Sequence, residues 1–432
     1  MTIFISIVII ATVVGIYNVL QKKKSRRNIQ KINKAKEYGL HEPVHIHPFV
    51  DPSTCIGSGA CVKSCPEHDI IGLVNGKASL INASRCIGHG ACAIACPVGA
   101  IKLVFGTETR GVDIPSLTPN FETNIKGIYI VGELGGMGLI KNAVTQGREV
   151  IEYINCSIRH SDAQNTNICD VLIVGAGPAG ISASLAAVKY KMNFVTVEQD
   201  DIGGTVLQYP RHKIVMTSPM ELPMYGKVRL KETTKEGLLD LWMQVINKTG
   251  LKIQTKEKLL DIKMDDGCFK VFTSKGDYLT KNIVLAIGRR GTPRKLGVPG
   301  ENLPKVSYRL LEPEQHQNQD ILVVGGGDSA VEAAIALSDQ PKNRVALSYR
   351  GEAFSRIKPA NKERLDEKVS KKALNAIFKS NVKEIGEKYI KIATTENIIE
   401  IPNHYAYIFA GGELPNEFLN KLGVRIDKRF GT

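Results

Sequence analysis

The stretch that most constrains the fold is Asp170-Val-Leu-Ile-Val-Gly-Ala-Gly-Pro-Ala-Gly180. Val171–Val174 has the length and composition of a buried parallel strand, and it stops at a G-x-G-x-x-G turn. The small-residue run Ile181–Lys189 then reads as a helix. In such a turn Gly175 lets the chain bend tightly and Gly177, followed by Pro178, lets backbone approach a pyrophosphate. Gly180 lets helix pack on strand, and the helix N-terminus offers free N–H groups to the phosphate. A second strand, Asn193–Glu198, ends in an acid 23 residues after Gly175, placed to take ribose hydroxyls. A glycine turn alone is a weak signal and could hold no ligand. With the strand, helix and acid around it, it predicts a dinucleotide site.

A chain of 432 residues with 43% apolar content is long enough for about three cored domains. The net charge of +14 raises the question of nucleic acid, but eight basic residues and no acid lie within Gln21–Lys36, which leaves +6 for the rest. Without aromatic–basic interleaving elsewhere, no nucleic-acid partner is expected. Just before that basic run, Thr2–Leu20 carries no charged group. Its 19 residues would span roughly 30 Å as a helix, the thickness of a bilayer core. The basic flank would keep the rest of the chain cytoplasmic. The expectation is one N-terminal transmembrane helix over 2–20 and a basic juxtamembrane linker over 21–44, with a buried core helix as the alternative. His41, His45 and His47 follow, and they read as a loop or strand edge before they read as a metal site.

Six of the nine cysteines fall between Cys55 and Cys96, a clustering that points to metal in a reducing compartment. They form a repeat: Cys55-Ile-Gly-Ser-Gly-Ala-Cys-Val-Lys-Ser-Cys-Pro66 is echoed by Cys86-Ile-Gly-His-Gly-Ala-Cys-Ala-Ile-Ala-Cys-Pro97. This resembles the C-x2-C-x2-C-x3-C-P run of bacterial two-cluster ferredoxins, in which the fourth cysteine serves the other cluster. The resemblance implies two iron–sulfur clusters in a small α+β domain over 45–105. One would take Cys55, Cys61 and Cys96 with Ser58 at its fourth corner; the other Cys86, Cys92 and Cys65 with His89. Ser58 and His89 stand where the family has cysteine. A 3Fe-4S cluster at the Ser58 site is therefore an alternative to 4Fe-4S. Zinc and a vestigial fold are further alternatives.

Other segments resemble thioredoxin-reductase-like flavoproteins, and each is read here through that resemblance. Ile128–Gly132-Glu133 and the helix after it look like the family's second flavin motif, a strand ending in Gly-Asp, with glutamate in place of aspartate. Asp201-Ile-Gly-Gly-Thr205 looks like the flavin-contacting turn of Gly203, Gly204 and Thr205. Ile283–Gly288 matches a strand that ends beside the flavin. The implied cofactor is FAD. A second fingerprint, Gly325-Gly-Gly-Asp-Ser-Ala330, contributes Gly327, Asp328, Ser329 and Ala330. It is followed by a strand ending in Tyr349-Arg350. A cation there suits the 2′-phosphate of NADP. Arg350 is kept from the family's arginine run, Gly351 replaces the next arginine, and Arg356 is shifted by one. NADPH is favoured, with NADH as the alternative.

In this family the Gly-Asp motif follows the nicotinamide domain, whereas here it precedes the first fingerprint. The order predicts a circularly permuted flavin domain, with assembly from a partner chain as the alternative. The expected architecture is α/β, with two nested Rossmann-like domains: a permuted flavin segment at 106–155, a polar linker at 156–168, and the flavin domain at 169–295. The nicotinamide domain would occupy 296–402, with a return to the flavin domain over 403–432. Disulfide reductases of this fold carry redox cysteines near the flavin. None occurs in Tyr308–Asp320 or Asp200–Pro210. Bacillithiol-disulfide reductases, which Tyr209–Tyr225 resembles, carry one inside the first fingerprint, where this chain has Ala179. Cys156, Cys169 and Cys268 read as bystanders. The expected function is electron transfer between NADPH, FAD and the clusters, to or from a redox protein or quinone at the membrane, in either direction. A homodimer is compatible. The alternatives are a disulfide reductase without its own dithiol and a non-catalytic redox sensor. No catalytic acid–base residue is nominated, because the cofactors carry the chemistry.

Overall fold

The computed structural model describes residues 2–37, 41, 43, 46–86, 88–107, 111–136, 138–158, 168–209, 214–230, 232–265, 267–289, 293–354, 357–412 and 415–431. Arg356, His45 and most of the polar linker lie outside them.

The chain begins with one helix, Thr2–Glu37. Its apolar half is exposed throughout, and it is the one helix among the described residues long and apolar enough to cross a membrane. The expected linker after residue 20 is instead helical to Glu37. Lys, Arg, Gln and Asn tolerate a helix well, and no Gly or Pro interrupts them. Residues 28, 31 and 35 lie on one face of it, and this face docks on the next domain. Asn28 is buried and its Nδ2 donates to Leu73 O at 2.9 Å, Lys31 pairs with Asp69 at 2.5 Å, and Ala35 is buried.

That domain is small. Strand His47–Val50 pairs antiparallel with Ile101–Val104, and Ile71–Val74 forms a hairpin with Lys77–Leu80. Two short helices, Ala60–Ser64 and Ala91–Ile94, follow the two cysteine loops, and the buried cysteines form the core with Ile70, Ile71 and Ile101.

The first large domain is built on a parallel sheet in the order Ile128–Ile130, Ile283–Leu285, Val171–Val174, Phe194–Val197. The segment that comes earliest in sequence therefore sits at the sheet edge beside strand Ile283–Leu285. Helix Ile140–Ser157 packs along helix Pro178–Lys189, burying Val150, Ile151 and Ile154 completely. Each such side chain contributes roughly 1.5–3 kcal/mol of transfer free energy. Contact is close because glycine permits it: a Cβ on Gly147 would lie 2.1 Å from Ala179 O.

The second large domain is a five-stranded parallel sheet, ordered Val306–Ser307, Tyr405–Ile408, Asp320–Val324, Arg344–Ser348, Leu374–Ile377. Here the expected boundary at residue 403 moves. Tyr405–Ile408 belongs to this sheet, because Ala406, Tyr407 and Ile408 close its core. The return crosses at Gly412, where the chain bridges to Pro293, so both interdomain connections run side by side. After helix Asn416–Lys421, strand Ile426–Arg429 pairs antiparallel with Val112–Pro115, Arg429 lying opposite Val112. Gly431 N donates to Thr107 O at 3.3 Å.

Candidate functional site

Three turns converge at the carboxyl ends of the first sheet, where open α/β sheets bind their ligands. Gly175 has φ 111°, and a Cβ there would lie 2.5 Å from Ala286 O. A Cβ on Gly180 would lie 1.8 Å from Gly175 O, so helix and strand touch backbone to backbone. Gly177 caps the helix with Pro178 at its first position. Glu198 is buried and ties the turn together. Its carboxylate accepts from Ala176 N at 2.7 Å and from Asp200 N at 2.9 Å.

The other two turns, Gly203–Thr205 and Gly132–Glu133, come from other parts of the sequence, and the strand end at Gly288 joins them. Gly203 N donates to Ala176 O at 3.0 Å, and a Cβ on Gly204 would lie 2.9 Å from Gly177 Cα. A Cβ on Gly288 would lie 4.0 Å from the Thr205 hydroxyl. Gly132, with φ 81°, donates its N–H to Gln146 Oε1 at 2.8 Å, and a Cβ there would lie 3.2 Å from that of Ala179. Glu133 thus stands beside the first fingerprint. Arg289 also belongs to this convergence and was missed from sequence. It interacts electrostatically with Glu133 and Asp113 and donates to Asp113 O at 3.3 Å. Its signal was its position immediately after Gly288.

In the second sheet Gly325 has φ 149°, and a Cβ would lie 2.5 Å from Phe409 O. Gly327 caps the helix of Asp328, Ser329 and Ala330. The Asp328 carboxylate accepts from Lys358 N at 2.8 Å and Asn361 Nδ2 at 2.7 Å. Tyr349 lies across the glycine turn: a Cβ on Gly326 would fall 2.0 Å from its ring, which stacks on Phe354. Arg350 beside it is exposed.

The cysteines group in the crossed pattern. Cys55, Cys61 and Cys96, with Ser58, line one small cavity together with Ile56, Val98 and Ile101. The Cys55 and Cys96 sulfurs accept from Ala78 N at 3.4 Å and Ala100 N at 3.2 Å, the kind of bond that tunes an iron–sulfur centre. Ser58 Oγ accepts from Ala60 N at 3.4 Å. Burial, the largest cause, pushes Cys92 up to about 11, with Cys86 and Cys65 close enough to add to the rise, and Cys65 likewise adds to the burial that raises Cys86. Bare thiolates are disfavoured there, so a bound cation is needed to hold them ionised. His89, shifted down by burial, is kept neutral, and its Nε2 is buried with no hydrogen-bond partner. An orphaned imidazole nitrogen beside three thiols fits a metal-bound group. Among the described residues no three His, Cys, Asp or Glu converge on a point suited to a single metal ion.

The cysteine domain touches the first sheet's site directly. Phe105, which follows strand Ile101–Val104, lies against the turn after Glu133, where a Cβ on Gly136 would be 2.6 Å from its ring. None of the nine cysteines forms a disulfide, and Cys156, Cys169 and Cys268 lie outside both glycine turns.

Comparison with known proteins agrees with this anatomy. Residues 172–430 match the pyridine nucleotide-disulphide oxidoreductase family and residues 47–97 match a 4Fe-4S dicluster domain. The chain is 32% identical to the bacilliredoxin reductase of Bacillus subtilis over 60% of its own length and 82% of that protein. It is 28% identical to a ferredoxin–NADP reductase of Ignicoccus hospitalis, again over 60% and 82%. Its fold resembles the bacillithiol disulfide reductase of Bacillus cereus, with TM-score 0.55 and 27% identity over 61% of this chain and 85% of that one. The chain belongs to the pyridine nucleotide-disulphide oxidoreductase family and is a flavin-dependent pyridine-nucleotide oxidoreductase that carries a 4Fe-4S domain.

Proposed function

We propose that this protein is a membrane-anchored NADPH oxidoreductase that moves electrons between the nicotinamide, FAD and two iron–sulfur clusters, exchanging them with a quinone or redox protein. The observation that carries the reading is the contact of Phe105 with Gly136, which seats the cysteine domain on the turn of Gly132 and Glu133. FAD would lie on Gly175–Gly180, with its ribose at Glu198 and its remaining parts at Gly203–Thr205, Gly288 and Glu133. When bound, it accepts a hydride and releases electrons singly. Arg350 would meet the 2′-phosphate of NADPH. Cys65, Cys86, Cys92 and His89 would hold one cluster, and Cys55, Cys61 and Cys96 the other, with Ser58 or an iron-free corner as the fourth position. The helix Thr2–Glu37 would anchor the chain with its catalytic part in the cytoplasm.

The flavin domain is read as circularly permuted. Strands Val112–Pro115 and Ile426–Arg429 pair like the two arms of a hairpin, and Gly431 lies against Gly106 and Thr107, where such a hairpin would have its turn. The family match begins only at residue 172, after the strand and helix that complete the sheet.

Steady-state turnover tests the reading against its rival. NADPH oxidation should be coupled to a one-electron acceptor such as ferricyanide, and a small disulfide should be reduced at least a hundredfold more slowly. Preference for the disulfide would replace this reading with that of a disulfide reductase.

A further inference from the structure

The two sulfur sites occupy different places along the anchoring helix, and they differ in what surrounds them. The hairpin Ile71–Val74/Lys77–Leu80 connects helix and sites. Its turn at Asn75 and Gly76 meets Ser25, which is five residues, or about 8 Å, past the end of the apolar span. The same turn is in contact with the Cys55–Gly59 loop: a Cβ on Gly57 would lie 2.0 Å from Gly76 O, and Lys77 Nζ donates to Cys55 O at 2.5 Å. Further along the helix, away from the span, Lys31 pairs with Asp69, four residues beyond Cys65. The Cys65/Cys86/Cys92/His89 site lies on that side. Its loop packs on Ile46 and Leu103, where a Cβ on Gly90 would be 3.1 Å from the Leu103 side chain, two residues before Phe105. The Cys55/Cys61/Cys96 site also carries exposed apolar side chains: Ile56 and Val98, both lining its cavity, are 65% and 38% exposed. Apolar side chains so exposed around a redox site mark a contact surface, and the apolar span places the bilayer surface next to this one.

From this, and resting on the reading above that the chain is anchored and carries two clusters, we propose that the sites act in a fixed order. The His89 site is on the flavin side, and the Cys55/Cys61/Cys96 site is the exit, where Ile56 and Val98 admit an apolar quinone dissolved in the bilayer. The basic residues that follow the span hold this edge against anionic headgroups. In one turnover the nicotinamide gives up a hydride, whose two electrons pass on singly while its proton is released to water. The quinone gains those two electrons and two protons from water to leave as the quinol, a net uptake of one proton.

The test uses the full chain in phospholipid vesicles, reduced anaerobically with NADPH and followed by low-temperature EPR. His89→Cys changes the line shape of one iron–sulfur signal and so labels the flavin-side site. A lipid with a gadolinium-chelate headgroup should then shorten the relaxation of the other signal, the one His89→Cys leaves unchanged. Stronger relaxation of the His89-sensitive signal, or equal relaxation of both, overturns the order. With decyl-benzoquinone in the vesicles, Ile56→Glu should slow reoxidation of the reduced signal at least tenfold per reduced spin. Reoxidation at the native rate refutes the exit at Ile56. Absence of any iron–sulfur signal in the native protein would instead sink the underlying relay reading, so the two failures are distinct.

Discussion

The two glycine fingerprints share a Gly-x-Gly turn between strand and helix and are built differently. At Gly175–Gly180 the closest neighbours of a side chain would be backbone: Gly175 O crowds Gly180 and Ala286 O crowds Gly175, with Gly204 Cα in contact with Gly177. A buried carboxylate, Glu198, then ties the turn to the following strand. At Gly325–Ala330 the first glycine is also held by backbone, but the second faces the Tyr349 ring and the following strand ends in the exposed Arg350. A backbone-walled turn cannot adjust, which suits a cofactor that stays bound. A ring can swing aside, which suits a nucleotide that enters and leaves at each turnover.

Substitutions can break this contrast. Gly180→Ala should be the most damaging, because its Cβ would meet a carbonyl oxygen that cannot move alone. The expected cost is about 1–3 kcal/mol, read as a lower thermal midpoint and loss of flavin from the purified protein. Glu198→Gln comes next. Its amide N–H would face either Ala176 N–H or Asp200 N–H, leaving two donors opposed, and flavin affinity should fall by about 1–3 kcal/mol in equilibrium dialysis. Arg350→Ala should raise KM for NADPH roughly fivefold to tenfold and leave KM for NADH nearly unchanged, a difference of about 1 kcal/mol or slightly more. Gly326→Ala should cost least, under about 1 kcal/mol, because the Tyr349 ring can rotate away. If Gly180→Ala and Gly326→Ala behaved alike in thermal melts, the contrast would be wrong.

The parts legible in sequence were those set by backbone geometry at short range. Gly175 to Glu198 is a strand, turn, helix and strand, and its glycines sit where a side chain would collide. The crossed grouping of the cysteines was readable only through the resemblance to two-cluster ferredoxins, and Cys55, Cys61 and Cys96 line one cavity with Ser58. What escaped depends on tertiary contact. Lys22 to Lys36 reads as a solvated linker until Asn28 meets the hairpin at Leu73 and Ala35 is buried. His404–Ile408 reads as leading back to the flavin domain, but its apolar side chains complete the five-stranded sheet of the second large domain. Nothing in the sequence marks Phe105 as the contact with Gly136, and Arg289 is marked only by following Gly288. Ser58 and His89 both depart from the cysteine pattern, and the sequence already makes the serine the less secure corner. Burial separates them, since the imidazole nitrogen is orphaned while the serine oxygen accepts from Ala60 N.

An anaerobic titration of the detergent-solubilised full chain with NADPH, following visible absorbance and low-temperature EPR together, tests the central claim most directly. The helix must be retained, because Asn28 and Lys31 hold the cysteine domain. The account predicts that flavin absorbance bleaches and iron–sulfur signals grow in the same titration. Bleaching without any iron signal, even after dithionite, would contradict it and leave a simple flavin reductase whose cysteine repeat binds something else.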